Sequence, residues 1–478
     1  MWAISAFVHT YAIYFLSLLL ASALAYYLSG WFRGRGTRLP LPPGPKGLPI
    51  VGNLLDMPAS FPGQSFEKMG KELGTDILYL NAVGTKIVVL NSQEACWDLL
   101  ENRSGIYSSR PPLPMLIDLL GWDKDFIILP YGNLWKTCRR LFHQEFPHNN
   151  SSRHESQQLR VNRALLKNVL SDPAHYRDHI RQMTGTLITL VTYGLDVNPD
   201  HPVIRIAERG IEVSTHVATP GAYLVDTLPI LKYVPEWFPG AGFKRKAREW
   251  NKIYTEMNVM PFEIVKKQMD NGTAPPSFLS NSLSKFYENP KECGYTEEAV
   301  VHTAGTMYSA GTDTTWTALL SFIIAMTLYP ETQRKAQAEI DRVIGRGRLP
   351  EFRDRESLVY VEAIMREVQR WQPIAPTAIP HYVHVEDEAV LHDEEMYPDP
   401  YEFKPERWIK NGKIDPAIKD FTSGFGFGRR ICPGRHLAMS LLYITAASLL
   451  AVFDISKPVD EDGVAIEQKL EYISNILK

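Results

Sequence analysis

The longest apolar run lies at the start of the chain. Residues 7–28 are almost wholly apolar and aromatic and hold no Asp, Glu, Lys or Arg. That is about the twenty residues a helix needs to cross a bilayer. A cleaved signal peptide would open on basic residues and end at a small-residue cleavage site. This chain opens on Met1, Trp2, Ala3 and Ile4, and Arg33, Arg35, Arg38 and Lys46 follow the run. The pattern therefore predicts a membrane anchor with the remainder of the chain in the cytosol. Residues 39–45 read LPLPPGP; prolines fix φ and cannot continue a helix, so a stiff extended spacer is expected next.

Residues 298–329 form a long, largely apolar stretch suited to a buried helix, with Ala310, Gly311, Thr312, Asp313, Thr314 and Thr315 in its middle. Polar groups are costly there. They predict either a helix opened locally to admit side chains or water, or hydroxyls bonded back to the preceding turn. Glu367 and Arg370 stand three apart on a helical face, where they can pair; most such pairs are exposed and contribute little. Three more segments are apolar or aromatic and proline-stiffened, at 111–122, 215–237 and 373–379. Pocket walls and ordinary core explain such residues equally well.

Composition narrows the class. With 478 residues and 45% hydrophobic content the chain can bury a large core. The net charge is −3, from 51 basic and 54 acidic residues, which gives no footprint for nucleic acid. The four cysteines, Cys96, Cys138, Cys293 and Cys432, are far apart and form no C-x-x-C pair, which argues against a disulfide framework or a structural zinc site.

One of the four sits in a distinctive setting. Residues 425–434 read FGFGRRICPG, a glycine- and arginine-rich loop before a helical segment. Gly426, Gly428 and Gly434 let a backbone bend sharply and pass close to a flat ligand. A sheltered thiolate at Cys432 suits the axial ligation of haem iron, where thiolate donation promotes O–O cleavage. Arg430, two residues earlier, could reach a haem propionate with its guanidinium fork, and Phe425 would shield the sulfur. The plainer alternative is a buried structural cysteine in a glycine-rich turn.

The loop matches the signature F-x-x-G-x-x-x-C-x-G at every fixed position, and on it the chain resembles the cytochrome P-450 superfamily, microsomal fungal type. The resemblance implies a mainly α fold with a small β region, the haem-thiolate fold with an N-terminal transmembrane helix. It divides the chain into an anchor at 1–30, a basic and proline-rich hinge at 31–50 and a haem domain at 51–478. It implies haem b as cofactor, O2 as co-substrate, and NADPH acting through a cytochrome P-450 reductase, with cytochrome b5 as a second candidate donor. The A-G-T-D-T-T run resembles the family's oxygen-activation groove, where Thr314 would hold the proton-accepting group or its water and Asp313 would connect to bulk protons. E-x-x-R and P-E-R resemble its buried triad, Glu367, Arg370 and Arg407, here with Trp408 where Phe is commoner. Trp135 and Arg139 match W-x-x-x-R near the propionates, and His381 stands where an Arg or His often meets one, although a lone His is more often a polar surface group. Arg429 and Arg435 would meet an acidic reductase surface.

Two departures accompany the match. After His381, Asp387 and Glu388 run directly into residues 389–393, so roughly twenty residues, a hairpin and a strand, are missing from the family pattern. The final apolar loop and strand are missing as well. The resemblance extends to fungal enzymes like O-methylsterigmatocystin oxidoreductase, and implies oxidation of a lipophilic secondary metabolite, terpenoid or polyketide, at the endoplasmic reticulum membrane. A degenerate haem-binding member without turnover, or another oxidation at the same haem, remain as alternatives, because a fold does not fix a reaction.

Overall fold

The computed structural model describes residues 40–58, 61–147, 151–198, 200–219, 221–381, 384–385, 399–415, 424–460 and 464–466. The chain divides into two units, Met1–Pro43 and Gly44–Lys478. The expected anchor at 7–28, the shortened segment after His381 and the C-terminal departure lie outside the described residues.

Helices dominate. The longer ones are α1 (Pro62–Leu73), α2 (Asn133–Glu145), α3 (Glu155–Ser171), α4 (Tyr176–Tyr193), α5 (Pro202–Ala218), α6 (Gly242–Asp270), α7 (Phe278–Glu288), α8 (Glu297–Leu328), α9 (Pro330–Val343), α10 (Val359–Trp371) and α11 (Arg435–Val452). Helix α8 runs through the middle and packs on α2, α4, α6, α7, α10 and α11. Its start is fixed locally. The Thr296 hydroxyl accepts from Ala299 N, and Glu297 and Glu298 face the positive end of the helix dipole. Pro330 opens α9 directly after it, where a missing N–H does no harm. Helix α11 is the one described helix long and apolar enough to cross a membrane, but it is mostly buried against α3, α9 and α10 and serves as core.

Two small sheets complete the unit. Strands β1 (Ile77–Ala82) and β2 (Thr85–Leu90) form a hairpin in register Ile77↔Leu90 to Ala82↔Thr85. Val83 and Gly84, at φ +50° and +88°, make the tight turn whose twist matches that of the strands. Strand β3 (His384–Val385) joins β2 in parallel through Val89↔His384 and Leu90↔Val385. Strands β4 (Ile409–Lys410) and β5 (Lys413–Ile414) repeat the device around Asn411 and Gly412. The main core spreads over both ends of α8, while a smaller cluster of Leu90, Ala95, Cys96, Leu100 and Phe427 pins the cysteine loop to the first sheet.

Candidate active site

The loop at 425–434 is built by its glycines. Gly426 and Gly428 have φ +81° and +55°, conformations that side chains disfavour, and a Cβ on Gly428 would stand 2.0 Å from the Leu100 carbonyl oxygen. Gly434 has an ordinary φ of −86° and serves by starting α11. Cys432 N donates to Phe425 O at 2.8 Å, closing the loop on itself. Burial pushes the Cys432 thiol above the usual cysteine range, against the pull of the Gly434 amide and the charges of Arg139 and Arg435. The three other cysteines are also free.

Around this sulfur the fold gathers cations that have no carboxylate partner among the described residues. Arg430 donates from Nε to Ser108 O at 2.7 Å and from Nη2 to Leu129 O at 2.6 Å. Its guanidinium lies 4.6 Å from the centre of the Trp135 ring. Arg139 on α2 donates to Ile431 O at 2.5 Å and to His143 Nε2 at 3.0 Å. His381 is buried rather than on the surface, with Nδ1 at 2.5 Å from Tyr107 O; burial and then the Arg110 charge drive it down to about 3, so the ring is neutral. Burial, then mutual repulsion with Arg139, lowers Arg430 to about 10.

The sequence reading missed Arg110. This buried side chain donates from Nε to Ile127 O at 3.0 Å and from Nη1 to Ile379 O at 2.6 Å and Pro380 O at 3.0 Å. Burial and the nearby Arg430 lower its pKa strongly. An isolated Arg carries no periodic signal, and two of its three acceptors are 269 and 270 residues away in the chain.

Among the described residues, the buried Arg430 Nη1 and Trp135 Nε1 in this cluster have no hydrogen-bond partner. Buried donors are normally satisfied, and several guanidiniums repel one another unless an anion lies between them. A planar ligand carrying two carboxylates, set against a thiol, supplies what both lack. Arg110, Trp135, Arg139, His381 and Arg430 fit the propionate edge of haem, and Cys432 fits its iron.

Helix α8 is unbroken, so of the two expectations for its hydroxyls the structure shows the back-bonded one. Thr312, Thr314 and Thr317 bond back to Tyr308 O, Ala310 O and Asp313 O at 3.1, 2.7 and 2.8 Å, the satisfied alternative for hydroxyls in a helix. Gly311 serves close packing, since a Cβ there would stand 2.8 Å from Ile188 Cδ1 on α4. Asp313 Oδ1 is 3.6 Å from Arg181 Nη2 on α4, and Arg181 Nε is 3.1 Å from Glu208 Oε1 on α5. Burial raises the Asp313 carboxyl above the usual range, and Arg181 opposes it.

Segment 111–122 contributes Met115, Leu116, Leu120 and Trp122 to the core and is tied to its surroundings. Met115 N donates to Asp226 Oδ1 at 2.8 Å, Lys232 pairs with Asp118 at 2.7 Å, and Asn251 donates to Leu120 O at 2.8 Å. Asp125, just beyond it, accepts from Thr306 Oγ1 of α8 at 3.0 Å and is pushed up to about 6 by burial. In segment 215–237, by contrast, Leu224, Ile230, Tyr233 and Trp237 are exposed.

The Glu367, Arg370 and Arg407 side chains meet in one cluster. Glu367 accepts from Arg370 Nε and Nη2 at 2.9 and 2.8 Å, from Arg407 Nε at 3.1 Å and from Lys404 N at 2.8 Å. Trp408 Nε1 adds a further donor at 2.9 Å, which Phe could not supply. Trp408→Phe is expected to lose about 1.5–3 kcal/mol, the worth of a hydrogen bond to a charged group, read as a lower urea midpoint with unchanged slope.

A cysteine in a glycine-built loop, with a rim of buried guanidiniums beside it, fits a haem-thiolate protein. The comparisons agree with the geometry: the chain belongs to the cytochrome P-450 family. The family model described as Cytochrome P-450 matches residues 42–388 and 386–475, the two segments meeting where the chain departs from the family pattern. Cytochrome P-450 monooxygenase 98 of Postia placenta is 41% identical over 445 residues, covering 89% of this chain and 85% of the relative. A cytochrome P-450 monooxygenase of Armillaria gallica is 40% identical over 456 residues, 91% of this chain and 89% of its own. Tryptamine 4-monooxygenase of Psilocybe cyanescens is 39% identical over 473 residues, with 94% and 92% covered. The protein is a haem monooxygenase of fungal type, which incorporates oxygen from O2 using electrons supplied by a reductase and acts on a small molecule.

Proposed function

We propose that the chain oxidises a lipophilic secondary metabolite, a terpenoid first and a polyketide second, while anchored in the endoplasmic reticulum membrane by residues 1–30. Electrons come from NADPH through the cytochrome P-450 reductase, docked at Arg429 and Arg435, with cytochrome b5 as a second donor. The observation that carries the reading is the juxtaposition of Cys432 with a cationic rim that has no carboxylate partner among the described residues. The exposed Leu224, Ile230, Tyr233 and Trp237 support a membrane-facing lid, since aromatic and apolar side chains favour the bilayer interface.

Each group has a task. Haem, when bound, supplies the reactive iron and the oxygen chemistry. Cys432 is the ligand, Phe425 shelters its sulfur, and Trp135, Arg139, Arg430, His381 and Arg110 hold the propionate edge. Asp313 takes protons from the solvent side, where Arg181 and Glu208 are partly exposed, and passes them to the Thr314 hydroxyl. To serve as relay, that hydroxyl rotates away from Ala310 O toward the cavity. Glu367, Arg370 and Arg407 lock the segment that presents the cysteine loop. The apolar 373–379 segment and residues 111–122 line the substrate side and exclude water.

Microsomes holding the protein and a reductase, given NADPH and labelled O2, test the reading. A panel of terpenoids, polyketides and indole amines should yield a product carrying one labelled oxygen, first among the terpenoids. Product only from indole amines would overturn the substrate class. Haem incorporation without product from any class would favour the degenerate reading.

A further inference from the structure

We propose that Glu101 is a positioning residue for the cysteine loop, its carboxylate holding the turn at Gly428 and so fixing the sulfur of Cys432. The proposal rests on the reading of Cys432 as the haem ligand and adds a residue from a distant part of the chain. Glu101 lies on the short helix Trp97–Asn102, and its Oε2 accepts from Gly428 N at 2.6 Å. The two are 327 residues apart, so the bond joins separate parts of the fold.

Two further contacts show that this is where the loop meets the 97–102 helix. Phe427 is buried with Leu100, Cys96, Ala95 and Leu90. At Gly428 the backbone lies so close to Leu100 O that no Cβ could fit, and its φ of +55° needs glycine. The apolar contact fixes the depth of the loop. A directional bond to the next amide fixes its rotation, and a carboxylate acceptor makes that bond stronger than a neutral one.

From Gly428 the path to the sulfur is short and bonded. Arg430 N donates to Phe427 O at 3.2 Å, Ile431 N to Gly428 O at 3.3 Å, and Cys432 N to Phe425 O at 2.8 Å. Rotation at Gly428 therefore shifts Ile431, which donates to the Gly428 carbonyl and directly precedes Cys432. Neighbouring charges do not compete for Glu101: Arg103 pairs with Asp98 at 2.8 Å, and Arg429 bonds the Tyr131 hydroxyl. A ligand that must approach iron along one direction tolerates little error in position, which gives an exposed carboxylate a role beyond surface solvation.

The test compares full-length holoenzyme with Glu101→Ala and Glu101→Gln. Hydrogen exchange of the 425–434 amides reads the bond without reference to activity. The rate at which the long-wavelength CO-difference band gives way to the short-wavelength one in mild detergent reads the thiolate. Glu101→Ala is expected to lose about tenfold of protection at Gly428 and to convert about tenfold faster, at the size of one charge-assisted hydrogen bond, with far-UV melting little changed. Glu101→Gln keeps a neutral acceptor oxygen and should restore both in part. Unchanged protection or an equally durable band in Glu101→Ala overturns the tether, as does a Gln variant as labile as Ala. A wild-type protein without the long-wavelength band overturns the thiolate reading, and this proposal with it.

Discussion

Glu367→Ala is expected to remove about 3–5 kcal/mol of stability, because it leaves a buried charge without its partner. Arg370 is fully buried, and among the described residues it also donates to Pro400 O at 2.5 Å and Glu402 O at 3.2 Å. Neither carbonyl carries a charge to match the guanidinium. The same deletion removes the carboxylate to which Lys404 N and Trp408 Nε1 donate. A typical domain has roughly 5–15 kcal/mol in total, so the variant should accumulate as aggregate with little bound haem. Urea unfolding of whatever remains soluble reads the loss. Glu367→Gln retains two acceptor or donor sites but no charge and should fall between Ala and wild type; a Gln variant as stable as wild type would show that charge is not what holds the cluster.

Asp313→Asn is expected to slow product formation by about 10²–10⁴-fold, the range over which a positioned proton donor contributes. Binding of substrate, read from the shift of the haem absorption, should stay near wild type, since Asp313 pairs with Arg181 on α4. Arg181→Gln supplies the complementary change. Arg181 holds the Asp313 carboxyl down against burial, so its removal lets burial raise the carboxyl further. The pH at which Asp313 gives up its proton then moves upward, and the rate profile should shift to higher pH with it. A profile that stays in place in Arg181→Gln would separate Arg181 from the proton route.

How much of this was legible follows from the range of each interaction. The bounds of α8 were readable to within a residue at each end, 298–329 against Glu297–Leu328, because apolar content and an N-cap are local signals. Whether its hydroxyls opened the helix was not readable, since back-bonding and water insertion call for the same residues. Cys432 stood out through spacing alone. The Glu367 to Arg370 pair was visible as a local spacing, but the indole donor from Trp408 was not, because the direction of a side chain from a separate segment depends on packing. Arg110 and Glu101 fell outside any motif, and each has a partner hundreds of residues away. Long-range hydrogen bonds to backbone groups leave no pattern in a single sequence.

The central claim is that Cys432 ligates haem as a thiolate within this fold. The CO difference spectrum of the reduced, purified full-length protein tests it most directly, with Cys432→Ser measured alongside. The account predicts the long-wavelength Soret band of thiolate-ligated haem in the wild type and its loss in Cys432→Ser. A wild-type band at the shorter wavelength of thiol- or imidazole-ligated haem, or a long-wavelength band that survives the serine substitution, would contradict it.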